Sequence, residues 1–246
     1  MPASLNIIWS TASCDANWGR GGVTAPIEIV RNARARRARL SVDSATGRVR
    51  LVLPPRAPLK TALAWAEDKS DWIAAQRARL PTPIPFVAGA EIPFEDGVLT
   101  IAWDADAPRR VERVGDVLRC GGSEEGLSRR VGLWLKREAL RVLSAETAEF
   151  AARAGVEVTT VAVGDPRTRW GSCAASGTIR YSWRLILMPA WVRRSTVAHE
   201  VAHRLHMNHS AQFHRVVAVL DETDPDESRR WLRRHGAERH WVGRDS

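Results

Sequence analysis

The stretch from Trp191 to Phe213 reads WVRRSTVAHEVAHRLHMNHSAQF. Placed on a helix at about 100° per residue, His199 and His203 project from one side, while Ala198, Val201, Ala202 and Leu205 form the opposite, apolar side. Two imidazoles at i and i+4 sit one above the other, so both can reach a single cation at roughly 2.0–2.1 Å. Glu200, one step round from His199, borders the imidazole stripe and can face a water on that cation without ligating it. This is the H-E-x-x-H arrangement of two metal ligands and a general base.

A catalytic zinc usually takes a third protein ligand and keeps one position for water. His206, His209 and His214 compete for that role. If the helix continues, His206 lies two turns from His199, about 10 Å along the axis, and cannot share the ion with both others. His209 follows Asn208, and asparagine readily takes the left-handed conformation that ends a helix and turns the chain back. His209 is therefore the expected third ligand, His206 a supporting or rim residue, and His214 the more distant candidate. His235 and His240 lie in a charged tail and read as solvated or hydrogen-bonded histidines rather than ligands.

The chemistry implied is hydrolysis by a metal-activated water. Glu200 would take the proton as water attacks a polarised carbonyl, then deliver it to the leaving amine. Zinc is the first choice for imidazole ligands, and nickel, manganese and iron are compatible with the same ligand type. For the oxyanion, Tyr181, Arg169 and Arg184 are chemically able, although the strand face that Tyr181 shares with Ile179 and Trp183 argues for core.

Elements that could position these residues surround them. Glu124 to Ala154 is helical in composition, with Val131, Trp134, Leu135, Ala139, Leu140, Val142 and Leu143 suited to a buried stripe that packs on the apolar back of the histidine helix. Val156 to Val163 reads as a strand, Arg169 to Gly177 as a loop or tight hairpin, and Thr178 to Trp183 as an alternating strand. That last strand is either internal to a sheet or a place where an extended substrate adds as a further strand. Ser210 is an expected N-cap for a helix over Ala211 to Asp221. Asp221 or Glu222 could orient a ligating imidazole, or simply form a solvated helix end. Glu227 to Arg239 is a basic terminal helix with no assigned chemistry.

Three motifs in order, RTRWGSC (Arg167 to Cys173), TIRYSWRLILMP (Thr178 to Pro189) and HEVAHRLHMNHSAQF, make the chain resemble the YgjP-like, SprT-related zinc metallopeptidases. The resemblance is dense over the last third and looser before it. It implies His199, His203 and His209 as metal ligands, Glu200 as the catalytic residue, Zn2+ as the metal and a peptide or protein as substrate. Ser182 stands where the family often has asparagine. His209 follows His199 by ten residues, as in metzincins, but their glycine position holds His206 and no separate Met-turn follows, which argues against that group.

The expected fold is α+β. A zincin-like metallopeptidase domain at 123–246 would have its H-E-x-x-H helix packed on a second long helix and a small sheet. A β-rich region with helices at 25–122 would precede it, after a loosely held tail at 1–24. In the N-terminal region, IEIV, ARLSV and VRLVL read as strands, with a turn at Ser44 to Gly47 and a helix from Pro58 to Arg79 packed through Leu63, Trp65, Ala66, Trp72 and Ile73. Prolines 81, 83 and 85 separate this βα unit from a second β section at Glu91 to Cys120.

Composition sets broader bounds. At 246 residues the chain can bury a sizeable core. Its longest apolar run, Leu185 to Val192, is short and contains Pro189, so no transmembrane span is expected. No secretory signal is visible at the N-terminus, and three cysteines without paired spacing do not make a disulfide framework, so the expected location is the cytoplasm. A net charge of +9 and a pI near 10.7 permit a nucleic-acid partner. Arg31, Arg34, Arg36, Arg37 and Arg39 crowd one hairpin, yet aromatic residues that could stack on bases are absent from the cluster. Two other readings are kept beside the peptidase. One is metal-dependent hydrolysis of a nucleotide phosphoanhydride, which the lack of a glycine-rich phosphate cradle disfavours. The other is a nucleic-acid-binding module or DNA-associated protease.

Overall fold

The computed structural model describes residues 27–244, so the expected tail at 1–24 lies outside the described residues. The chain forms two compact units, 1–81 and 82–246. The boundary falls in the proline run.

In the first unit, β1 (Ile27–Arg31), β2 (Arg39–Val42) and β3 (Val49–Leu53) form a sheet in the order β1-β3-β2. β2 and β3 are an antiparallel hairpin with Val42 opposite Val49, and β1 lies parallel to β3. The hairpin turn is shaped by Asp43, whose carboxylate accepts the N–H groups of Ala45 and Thr46. Gly47 follows at φ 70°, a conformation that costs a side-chain-bearing residue free energy.

The expected single helix over 58–79 is two, α1 (Leu59–Glu67) and α2 (Ser70–Arg77), because Lys69 leaves the helical region at φ −98°, ψ 14°. Ala62 and Ala66 turn inward with Leu51 and Leu53, and Ile73 is buried on α2. Trp65 and Trp72, expected to pack, stay exposed at 36% and 41%. The small side chains occupy the inner face, where an indole would hold the helix away from the sheet. Of the arginines around this hairpin, Arg31 is committed to the carbonyls of Pro54, Pro55 and Ala57, while Arg34, Arg36, Arg37 and Arg39 are exposed.

In the second unit, β4 (Glu91–Phe94), β5 (Gly97–Asp104), β6 (Glu112–Val114) and β7 (Val117–Gly121) form a sheet in the order β4-β5-β7-β6. Its buried residues Ile92, Phe94, Leu99, Ile101 and Leu118 share one core with the helix that follows, so this β section belongs with residues 123–246 rather than with the N-terminal strands. That helix, α3 (Leu127–Ala154), is the long scaffold. Val131, Leu135, Ala139 and Leu143 recur every fourth residue and are fully buried. Gly155, at φ 64°, ends the helix in the left-handed conformation.

Next come β8 (Thr160–Gly164), β9 (Gly171–Cys173) and β10 (Thr178–Ser182), in the order β8-β10-β9. β10 is parallel to β8 and antiparallel to β9, so both of its edges are paired. It is an internal strand and cannot accept a substrate strand. A 3₁₀ turn at Trp183–Leu187, capped by the Ser182 hydroxyl, leads into α4 (Ala190–Ala202), followed by α5 (Ala211–Leu220) and α6 (Pro225–Arg239). The fold is mixed α+β, with six α-helices among the described residues. None of the helices among those residues is long and apolar enough to cross a membrane.

α4 packs on α3, and the contact contains a buried ion pair. The Arg193 guanidinium donates to both carboxylate oxygens of Glu146, at 2.8–3.1 Å. Its Nη1 lies 3.2 Å from Glu95 Oε1, at an angle that leaves it without a directed hydrogen bond.

Candidate metal centre

α4 carries His199 and is capped by His203 one turn later, with their ring centroids 5.0 Å from each other. Behind them Val197, Ala198, Val201 and Ala202 are fully buried. The helix stops at Ala202, earlier than Asn208, and His206 N–H closes onto the Ala202 carbonyl at 3.1 Å. Leu205, expected on the apolar face, is therefore off the helix and 47% exposed. Asn208 does not take a left-handed conformation; among the described residues the one non-glycine at positive φ is Glu95.

What turns the chain is His203 itself. Its Nδ1 lies 3.0 Å from the His206 carbonyl oxygen. A carbonyl can only accept, so Nδ1 carries the proton and Nε2 keeps its lone pair. His206 thus contributes through its backbone. The short loop then brings His209 back over α4, with its ring centroid 5.2 Å from that of His199 and 4.8 Å from that of His203. His214 is farther out, 6.3 Å from His209.

Phe213 is the floor beneath the three rings. It is fully buried on α5, and its centroid lies 4.9, 4.4 and 4.8 Å from those of His199, His203 and His209. Ser210 fixes its position, because the Ser210 hydroxyl caps α5 by accepting the Phe213 N–H at 3.3 Å.

One nitrogen from each of His199, His203 and His209 lies within 4.8 Å of the other two. The Nε2 atoms of His199 and His209 are 3.2 Å apart. Two nitrogens bound tetrahedrally to one ion at about 2.05 Å would be about 3.3 Å apart, so the donor set fits a zinc-sized cation. Burial pushes the His199 pKa down to about 4, with the neighbouring His203 and His209 and more distant Arg229 adding to the effect. Burial also lowers that of His203. Both rings are therefore neutral near pH 7, as a metal ligand must be.

Glu200 is 6% exposed, and burial raises its pKa to about 7, with Arg169 offsetting part of the rise. The carboxyl group fits because β9 passes it at Gly171. A Cβ there would sit 2.5 Å from Glu200 Oε1 and 2.6 Å from its Cγ. The glycine of RWGSC could have been read as a close-approach position, but sequence alone does not say what approaches.

The remaining candidates separate cleanly. Tyr181 is buried and its hydroxyl shares a hydrogen bond with Thr147 at 3.1 Å, with burial raising its pKa, so it is core. Arg184 is held by Asp165 and by the carbonyls of Arg239 and Val242, which removes it from the oxyanion role. Arg169 stays beside Glu200. Asp221 accepts the Ser195 hydroxyl at 2.5 Å, and Glu222 pairs with Arg153 and Arg194. Both acids brace helices and neither orients an imidazole. Burial raises the Cys173 pKa, keeping the thiol protonated.

α5 and α6 close a cavity of about 260 Å³ against His199 and Glu200, with Val217, Pro225 and Leu232 as apolar walls. Nothing in the local pattern of α6 announces this role, because its placement depends on tertiary packing against α4.

The family model described as YgjP-like, metallopeptidase domain matches residues 36–235. No curated protein matches the chain. Among solved structures, the crystal structure of the metallopeptidase zymogen of Pyrococcus abyssi abylysin is similar over 37% of this chain and 93% of that chain, at 16% identity and a TM-score of 0.34, too distant to bear on the site. The family match takes in β2 and β3 of the first unit, α3, the RWGSC turn and the three histidines with Glu200, and by it the chain belongs to the YgjP-like family and carries a metallopeptidase domain.

Proposed function

We propose that the protein is a zinc-dependent peptidase in which His199, His203 and His209 hold the metal and Glu200 is the general base. One observation carries the reading: three imidazoles converge within 4.8 Å, and a buried carboxyl group with a pKa of about 7 stands beside them. A divalent ion held there supplies Lewis acidity toward water and a peptide carbonyl. Glu200 accepts the proton of the attacking water and passes it to the leaving amine, and a pKa near neutrality suits both transfers. The His206 carbonyl keeps His203 in the tautomer that offers Nε2, and Phe213 excludes water from beneath the rings. Arg169 lines the same cavity as the carboxylate, and its charge opposes protonation of Glu200. β9, at the edge of its sheet, is where an extended substrate would add as a strand, in place of β10.

The test compares the wild type with Glu200→Gln and His209→Ala for zinc content and for cleavage of unfolded casein. The expected pattern is metal retained but turnover lowered about 10²–10⁴-fold in Glu200→Gln, and metal lost in His209→Ala. Undiminished cleavage by Glu200→Gln overturns the mechanism.

A further inference from the structure

The cavity beside His199 and Glu200 has a volume of about 260 Å³. That is just below the ~300–1,000 Å³ of sites for drug-sized ligands, and it suits a single amino-acid side chain. Its walls differ sharply in what they can offer. The Ser195 hydroxyl is already donated to Asp221 and the Thr196 hydroxyl to the Val192 carbonyl. Val217, Pro225 and Leu232 offer only apolar surface. The Ser228 hydroxyl and the Trp170 indole also line it, and the lining carries two guanidinium groups, Arg169 from the β8–β9 connection and Arg229 from α6.

Both guanidinium groups line the same cavity as His199 and Glu200. Arg169 has no carboxylate within 4.0 Å among the described residues. Arg229 touches Asp226 at 2.8 Å, but both side chains are well exposed, at 41% and 68%. Such a pair is worth little and can give way to a ligand. A small apolar chamber with two available cations matches an aliphatic stem that ends in a carboxylate.

We propose that this cavity receives the substrate residue beside the scissile bond and selects for a carboxylate on it through Arg169 and Arg229. That carboxylate is either an Asp or Glu side chain or the free end of the chain. The inference rests on the peptidase reading above, and it adds the substrate class.

The experiment uses the zinc-loaded full chain and peptides that differ only in the residue beside the cleaved bond. Glu, Gln and Lys are compared with amidated C-termini, and a Gln peptide with a free C-terminal carboxylate next to that bond completes the set. The expected result is that at least one carboxylate form is cleaved with kcat/KM about tenfold or more above the Gln amide. Preference for the Glu side chain marks an endopeptidase, and preference for the free terminus marks a carboxypeptidase. Arg229→Gln should collapse the preference, and Arg229→Glu should place Lys above Glu.

Rates for both carboxylate forms no higher than for the Gln amide in the wild type, or a preference untouched by both Arg229 variants, overturn the inference while leaving the peptidase intact. Should no peptide be cleaved, binding decides. N-acetylglutamate α-amide or N-acetylglutamine, each with a single carboxylate, should raise the Tm of the zinc-loaded wild type and N-acetylglutamine α-amide should not, with the difference lost in Arg229→Gln. That result keeps the pocket and removes only the peptidase reading. Equal shifts for the carboxylate probes and the α-amide of N-acetylglutamine, or a carboxylate-dependent shift that survives in Arg229→Gln, refute the pocket.

Discussion

Gly171 and Glu200 are in van der Waals contact across the gap between β9 and α4, and a methyl group at 171 would lie 2.5 Å from the Glu200 carboxylate. The strand and the helix can approach only because residue 171 has no side chain. Gly171→Ala should therefore displace the carboxylate while leaving the imidazoles in place. Zinc content should be retained, kcat on casein should fall about 100-fold, and stability should drop by about 1–3 kcal/mol from overpacking. Activity equal to wild type would mean that the carboxylate does not work from this position.

The His206 carbonyl faces the His203 ring, whereas the His209 ring itself joins the cluster with His199 and His203. His206→Ala keeps the carbonyl, so the zinc Kd measured by competition with a chelator should stay within about threefold. His209→Ala removes a proposed ligand and should weaken binding beyond the roughly 10–100-fold typical of supporting residues. The reverse order would reassign the third ligand.

Burial of Glu200 also makes stability depend on pH. Its folded pKa of about 7 lies above the ordinary 4.5, so the unfolded chain releases the proton first. The stability this group contributes is complete below about 4.5 and is lost as pH rises through about 7, on the order of 3 kcal/mol in all. His199 works with the opposite sign, since its pKa falls from 6.5 to about 4 and its contribution is lost as pH drops through that range. Comparing metal-free wild type with metal-free Glu200→Gln cancels the histidine effect. The variant should gain stability relative to wild type from pH 4.5 to 7 and hold a constant lead above that, in urea titrations. A flat difference would show that the carboxyl is not desolvated.

The Arg193–Glu146 pair ties α4 to α3 in the core, with Arg193 4% and Glu146 8% exposed. Removing one partner strands the other charge, so Arg193→Ala should cost about 3–5 kcal/mol by urea denaturation, whereas replacing both by apolar residues of similar volume, Arg193→Met with Glu146→Leu, should recover most of that loss. A loss below 1 kcal/mol in Arg193→Ala would show that water reaches the pair.

Features set by local spacing were legible in the sequence. The i, i+4 histidines, the four-residue repeat of α3, the Ser44–Gly47 turn and the Ser210 cap each involve residues a few positions apart. What escaped depends on partners brought together by the fold. The early end of α4 follows from one imidazole-to-carbonyl bond, and the asparagine three residues beyond Leu205 plays no part in it. Trp65 and Trp72 satisfied a helical pattern, but the buried positions on these helices are Ala62, Ala66 and Ile73. β10 alternates like an exposed edge strand, yet β9 returns to cover it. The roles of Gly171 and Arg229 rest on contacts with a helix 29 residues after the first and 29 residues before the second, at Glu200.

X-ray absorption at the zinc edge of the purified chain addresses the metal centre most directly. The account predicts three imidazole nitrogens and one oxygen at about 2.0–2.1 Å, with one imidazole fewer in whatever zinc His209→Ala retains. A shell containing sulfur, or an unchanged imidazole count in His209→Ala, would contradict it.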